Sequence, residues 1–178
     1  TWISPEIIYT IGRNEFRTPD VIVSEGDYCT FYDTKALSPS LKIRQFNQEE
    51  IEREIKIYAD AILQVYQQII NFSDNHFNLD KGYDQKNLFG VAVVLEDAVV
   101  PKNKVYDKVF EMRIKKVGDI TQEEKQYIHS HVKIVPLKEI ELMVLQNMSF
   151  LSCLQEQEKN PEKWNDLTFA TPNTEHGL

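Results

Sequence analysis

Glycine is scarce in this sequence, at six of 178 residues, and cysteine is scarcer, at two. None of the six stands in a Gly-rich phosphate loop or a Gly-x-Ser-x-Gly elbow, which removes kinase, P-loop and serine-hydrolase readings. Cys29 and Cys153 form no Cys-x-x-Cys pair and have no zinc spacing. Reduced thiols in a cytoplasmic protein are expected, with one Cys29–Cys153 disulfide as the alternative. Apolar runs are all far shorter than a membrane span, and no secretory signal stands at the start. Internal repeats and low-complexity tracts are absent as well.

Positive charge is also in short supply, with 20 Lys and Arg against 28 Asp and Glu and a net charge of −8. Such a balance argues against gripping nucleic acid by bulk electrostatics. The charge is uneven, however. Residues 47–80 carry Arg53 and Lys56 against seven acids, whereas residues 102–116 carry six basic residues against Asp107 and Glu111. Any nucleic-acid contact is therefore expected at Lys102, Lys104 and Lys108, with Lys42 and Arg44 in reach of a phosphate. Otherwise target recognition falls to a separate domain or subunit.

What is present is ordinary globular composition, 42% hydrophobic and 27% charged, enough for one domain with a proper core. The stretch that organises it runs from Pro19 to Lys35. Val21 to Val23 is β-branched, Glu25-Gly26-Asp27 carries turn chemistry, and Tyr28 to Tyr32 is rich in strand formers, so the stretch predicts a β-hairpin. Alternation places Phe31, Asp33 and Lys35 on one face and Tyr32 and Thr34 on the other. Asp20 enters the partner strand across from Asp33, so two carboxylates and an ammonium converge at one end of the hairpin. Close carboxylates repel unless a cation neutralises them, and hard oxygen ligands suit Mg²⁺ or Mn²⁺.

The rest of the chain reads in order. Residues 1–18 predict a strand leading into the hairpin through Gly12-Arg13-Asn14, and Leu37 to Phe46 an irregular link. Asn47 caps a long helix with Glu50 three residues on, and Ile51, Ile55, Tyr58, Ile62, Val65, Ile69 and Phe72 form its apolar seam. Lys56, Asp60, Gln64 and Gln68 make a stripe beside that seam. Leu88 to Leu95 is a continuous apolar run, the mark of a strand covered on both faces. A helix follows Pro101, and another opens at Thr121 with Glu124. His129 and His131 fall on different faces of the latter, which disfavours a metal pair. Val132 to Val135 is a short strand, and Leu137 to Glu158 a long helix. This order predicts an α/β fold with a central mixed β-sheet flanked by helices. The domain is placed at residues 1–160, with a polar tail at 161–178.

Pro19-Asp20 followed by Asp33-Thr34-Lys35 resembles the motif of the PD-(D/E)XK nuclease superfamily, with Asp33 in the Glu/Asp place. Asp33-Thr34-Lys35-Ala36 also resembles the cleavage domain of type IIS restriction enzymes. The resemblance implies a restriction-endonuclease-like fold and Mg²⁺-dependent or Mn²⁺-dependent hydrolysis of DNA, in which Asp20, Asp33 and Lys35 are catalytic. It further implies Asp20, Asp33 and the Thr34 carbonyl as metal ligands, with Glu6, or Glu15 in its stead, as a third acid. Many relatives carry a glutamine on the helix after the motif, a place filled here by Gln64, although Gln68 stands where some have tyrosine. The family core begins with a helix that the few residues before Glu6 do not supply, so an excised piece of a longer protein is expected. A homodimer is an expected state, because isolated cleavage domains pair to cut both strands. The alternative is a nuclease-fold module that binds protein or nucleic acid without cutting.

Overall fold

In the computed structural model, residues 1–39, 43, 47–79, 82–96 and 100–153 are described. Lys42, Arg44, residues 154–158 of the expected last helix and the tail at 161–178 lie outside them. Among the described residues, the strands and longer helices follow in the order β1 (Trp2–Pro5), β2 (Ile8–Ile11), β3 (Asn14–Arg17), β4 (Val21–Glu25), β5 (Tyr28–Lys35), α1 (Gln48–Ser73), β6 (Leu88–Val94), α2 (Lys102–Val117), α3 (Gln122–His131), β7 (Val132–Pro136) and α4 (Leu137–Leu145). Five of the strands form one mixed sheet in the order β1-β4-β5-β6-β7, and β2 and β3 form a separate ribbon. The fold is α/β, with helices on both faces of the sheet.

β4 and β5 pair antiparallel from Val21↔Tyr32 to Glu25↔Tyr28. Gly26, at φ 61, opens the two-residue loop between them. A glycine-first loop of this length matches the twist of the strands it joins. β5, β6 and β7 then run parallel, and parallel neighbours need long crossovers. α1 makes the first and the α2–α3 pair the second.

Alternation along β5 and β6 sorts the core into two layers. Cys29, Phe31, Leu88, Ala92 and Val94 face the cluster built with α1, α2 and α3. Tyr32, Val91 and Val93 face Met143, Phe150 and Cys153 on the other side. Both cysteines are free and buried, and they lie in different layers, so the disulfide alternative is ruled out. No helix of the described residues is long and apolar enough to cross a membrane.

Both predicted helix caps form. The Asn47 side chain accepts from Glu50 N at 3.1 Å, and the Thr121 hydroxyl accepts from Glu124 N at 3.1 Å. Three expectations need correction. Residues 1–18 are not one strand but β1 and the β2–β3 ribbon, because Gly12 at φ 63 turns the chain straight back. Asp20 stands one residue before β4 rather than inside it. Continuing the register would set Pro19 opposite Thr34, and proline has no N–H to give the ladder. The helix expected from Leu137 to Glu158 stops at Leu145. Asn147 there takes the left-handed conformation at φ 54 and its N–H donates to the Val144 carbonyl, a common helix stop. A new helical turn begins at Phe150, where Ser149 Oγ accepts from Ser152 N at 3.1 Å.

Gly90 on β6 lets α1 approach closely. A Cβ there would lie 2.5 Å from Val65 Cγ1 and 3.3 Å from both Ile69 Cδ1 and Val132 Cγ1. Gly90→Ala should therefore lower the unfolding free energy by about 1–3 kcal/mol, measured from urea midpoints. Adding Val65→Ala should give a double variant more stable than the sum of the two single losses, since the contact is shared.

Candidate active site at the hairpin end

The face that buries Phe31 also carries Asp33 and Lys35. Phe31 packs edge-on against Phe72 of α1 and Phe77, which fixes this face of β5 toward the main core. One step along the same face, Asp33 is 8% exposed. The Lys35 ammonium contacts Asp33 Oδ2, and both side chains keep partial access to water.

Asp20 is tied to the same strand. The Thr34 N–H donates to Asp20 Oδ2 at 2.7 Å, and the Thr34 hydroxyl donates to the same oxygen. The Thr34 N–H, which lies beyond the last ladder pair Val21↔Tyr32, is thus satisfied by a carboxylate, a charge-assisted bond. Buried Thr18 sets the approach. Its Oγ1 accepts from Ile7 N at 2.7 Å, and its own N–H donates to the Ile7 carbonyl at 2.9 Å. This clamp lays the β1–β2 link beside the segment entering β4 and brings Glu6 alongside, where Arg17 Nη1 donates to Glu6 Oε2 at 3.0 Å.

Burial holds the Asp33 carboxyl above the ordinary carboxylate range. Lys35 opposes that rise, while the charges of Asp20 and Glu6 add to it. The other two predicted acids therefore both act on Asp33. They do not share a coordination sphere as they stand, since Asp33 is turned to Lys35, Asp20 to Thr34 and Glu6 to Arg17. Among the described residues, no group of three or more His, Cys, Asp or Glu is arranged to hold a metal ion.

No family model, curated protein or solved structure matches this chain. The site is read from its own chemistry. In kind, the donors fit a hard divalent cation: they are carboxylate oxygens, and a cation would compensate the desolvated charge of Asp33. Asp33 and Asp20 would hold it.

The other predicted residues lie elsewhere. Gln64 is exposed, on the wall of a cleft between α1, α2 and the β2–β3 ribbon, and Glu15 stands at the same cleft. Lys102 and Lys104 begin α2, which follows the carboxyl end of β6, the same end of the sheet as Lys35, whose register partner is Val94. Lys108 lies farther along and donates to Glu111 at 2.8 Å. Together with Lys115 it holds the Glu111 carboxyl down at about 2. Thr18 and Arg17 went unmarked in the sequence, since nothing local to them signals a clamp made across β2 and β3.

A carboxyl whose pKa rises on folding keeps a proton in the folded state that the unfolded chain has released. Stability then falls as pH climbs from the unfolded value, roughly 3.9, through the raised one, and the cost is complete above it. Asp33→Asn removes that cost. The unfolding free energy of wild type minus that of the variant should therefore decline as pH rises from about 4 through the raised pKa, as measured by denaturant titration; a rising difference would mean that Lys35 outweighs burial.

Proposed function

We propose that this chain is a divalent-metal-dependent nuclease that hydrolyses DNA phosphodiester bonds, with Asp20, Asp33 and Lys35 as its catalytic residues. The observation that carries this reading is Asp33, a buried carboxylate on the core face of β5, in contact with Lys35 and within the field of Asp20 and Glu6. Structural surface pairs rarely hold a carboxylate this deep, because desolvating a charge is costly.

Bound Mg²⁺ or Mn²⁺ supplies a Lewis acid that polarises the phosphate and lowers the pKa of water. The chain does the positioning. Asp33 and Asp20 would hold the ion, with the Thr34 carbonyl as a further oxygen donor, and Thr34 keeps Asp20 in place through its N–H and hydroxyl. Lys35 carries three N–H donors on the same face as Asp33. It orients the attacking water for in-line displacement and screens charge building on the non-bridging oxygens. Glu6, paired with Arg17, completes the acidic surround.

A second reading keeps the fold as a binding module that does not cut. The closure of Asp33 on Lys35 and the net charge of −8 favour it. A plasmid-nicking assay with Mg²⁺ or Mn²⁺ separates the two. Wild type should nick, and Asp20→Ala, Asp33→Ala and Lys35→Ala should each lose activity by about a hundredfold or more. Undiminished nicking by Asp33→Ala and Lys35→Ala would remove the catalytic assignment, and binding without nicking by wild type would favour the module.

A further inference from the structure

The β2–β3 ribbon is a sheet of its own, apart from the five-stranded one, so side chains set its pose beside the carboxylate site. The two meet at the Arg17–Thr18 peptide. Its N–H donates to the Ile7 carbonyl at 2.9 Å, and its carbonyl accepts from Gln68 Nε2 of α1 at 2.7 Å. One peptide unit is thus bonded at both ends, to the ribbon's base and to α1. Pro19 follows with its φ fixed by the ring. Little freedom is then left before Asp20, whose carboxylate ends on Thr34.

A one-way relay of hydrogen bonds aims Gln68. It begins on Lys116 of α2, whose ammonium can only donate. Lys116 Nζ donates to Gln67 Oε1 at 3.2 Å, and Gln67 Nε2 donates to Asn71 Oδ1 at 2.9 Å. Asn71 Nδ2 donates to the Tyr9 hydroxyl at 2.7 Å, and that hydroxyl donates to Gln68 Oε1 at 2.9 Å. The relay ends on the Arg17 carbonyl, which can only accept. With a donor at one end and an acceptor at the other, no amide between them can turn over without losing bonds. Tyr9 and Asn71 are 7% and 5% exposed, so a bond lost there is not recovered from water. Burial raises the Tyr9 hydroxyl above the ordinary phenol range, against the opposing Asn71 bond, which keeps it a donor. Its ring is seated independently, with centroids 4.9 Å from Phe77 and 5.8 Å from Phe16.

We propose that Gln68 is a positioning residue for Asp20, with Tyr9 as the group that fixes which way its amide points. Gln68 touches no reacting atom. It holds the Arg17–Thr18 peptide against α1, and that peptide sets the approach of Pro19 and Asp20 to β5. The bond from the Thr34 N–H to Asp20 depends on that approach. This deepens the nuclease reading and rests on it only for what Asp20 does once placed.

The test is the Thr34 amide proton resonance in nitrogen-edited NMR spectra of the full chain, recorded in EDTA, with nicking measured separately in Mg²⁺. A bond to a carboxylate carries that resonance downfield, and Asp20→Asn marks where it lies without the charge. Tyr9→Phe keeps the ring and removes the donor to Gln68. Gln68→Glu keeps an acceptor for Tyr9 but has no N–H for the Arg17 carbonyl. Both variants should move the resonance upfield, toward its Asp20→Asn position, and both should lower the kcat of nicking about tenfold with KM little changed. Gln122→Glu, the same exchange at an exposed position on α3, should move neither. A Thr34 resonance unmoved in Tyr9→Phe and Gln68→Glu, or moved as far by Gln122→Glu, would overturn the proposal, as would slower nicking without that movement. The resonance is that of the folded state, so lost stability alone does not imitate the result, and should Gln68→Glu fail to fold, Tyr9→Phe decides. Because it is read without metal, a wild type that does not nick tells only against the nuclease reading.

Discussion

The carboxylate of Asp33 is buried on the same face of β5 as Phe31, and everything else at the hairpin end is arranged around that fact. A desolvated charge must be compensated or it will take up a proton. Lys35 compensates in part, from the same face two residues on. Burial outweighs that compensation, with smaller contributions from the charges of Asp20 and Glu6, and the carboxyl stays raised. A group held in that condition takes up a proton or a cation readily, which is the property the proposed catalytic centre would use.

The surrounding fold serves to keep this end of the sheet stiff. Parallel pairing with β6 runs to Lys35↔Val94, and beyond it the Leu37 carbonyl accepts from Leu95 N at 3.2 Å and Glu96 N at 3.4 Å. On the other edge the Thr18 clamp and the Asp20–Thr34 bonds replace a ladder that Pro19 interrupts. Gly90 lets α1 sit directly on β6, so the face carrying Phe31 is closed by packed side chains. Side chains placed on strands held this way keep their geometry better than side chains on loops.

Much of this was legible from residue order. Period-two alternation placed Asp33 and Lys35 on one face, Gly26 marked the turn, and Asn47 and Thr121 marked helix starts, because each rests on interactions within a few residues. The contacts that were not legible are those made at long range. Nothing near Thr18 announces a partner at Ile7, and nothing near Tyr9 announces Gln68 and Asn71. The polar spacing of Gln64 and Gln68 on α1 was visible, but its meaning depends on a ribbon brought over it from the start of the chain. The break at Asn147 interrupts an apolar pattern that otherwise continues, so periodicity alone runs through it.

The central claim is that Asp33 and Asp20 hold a divalent cation. A crystal structure of the wild-type protein soaked in Mn²⁺, phased at the manganese edge, tests it most directly. The account predicts an anomalous peak between the two carboxylates, with Asp33 moved off the Lys35 ammonium. An Asp33–Lys35 pair left intact, with no peak at a manganese concentration that supports nicking, would contradict it.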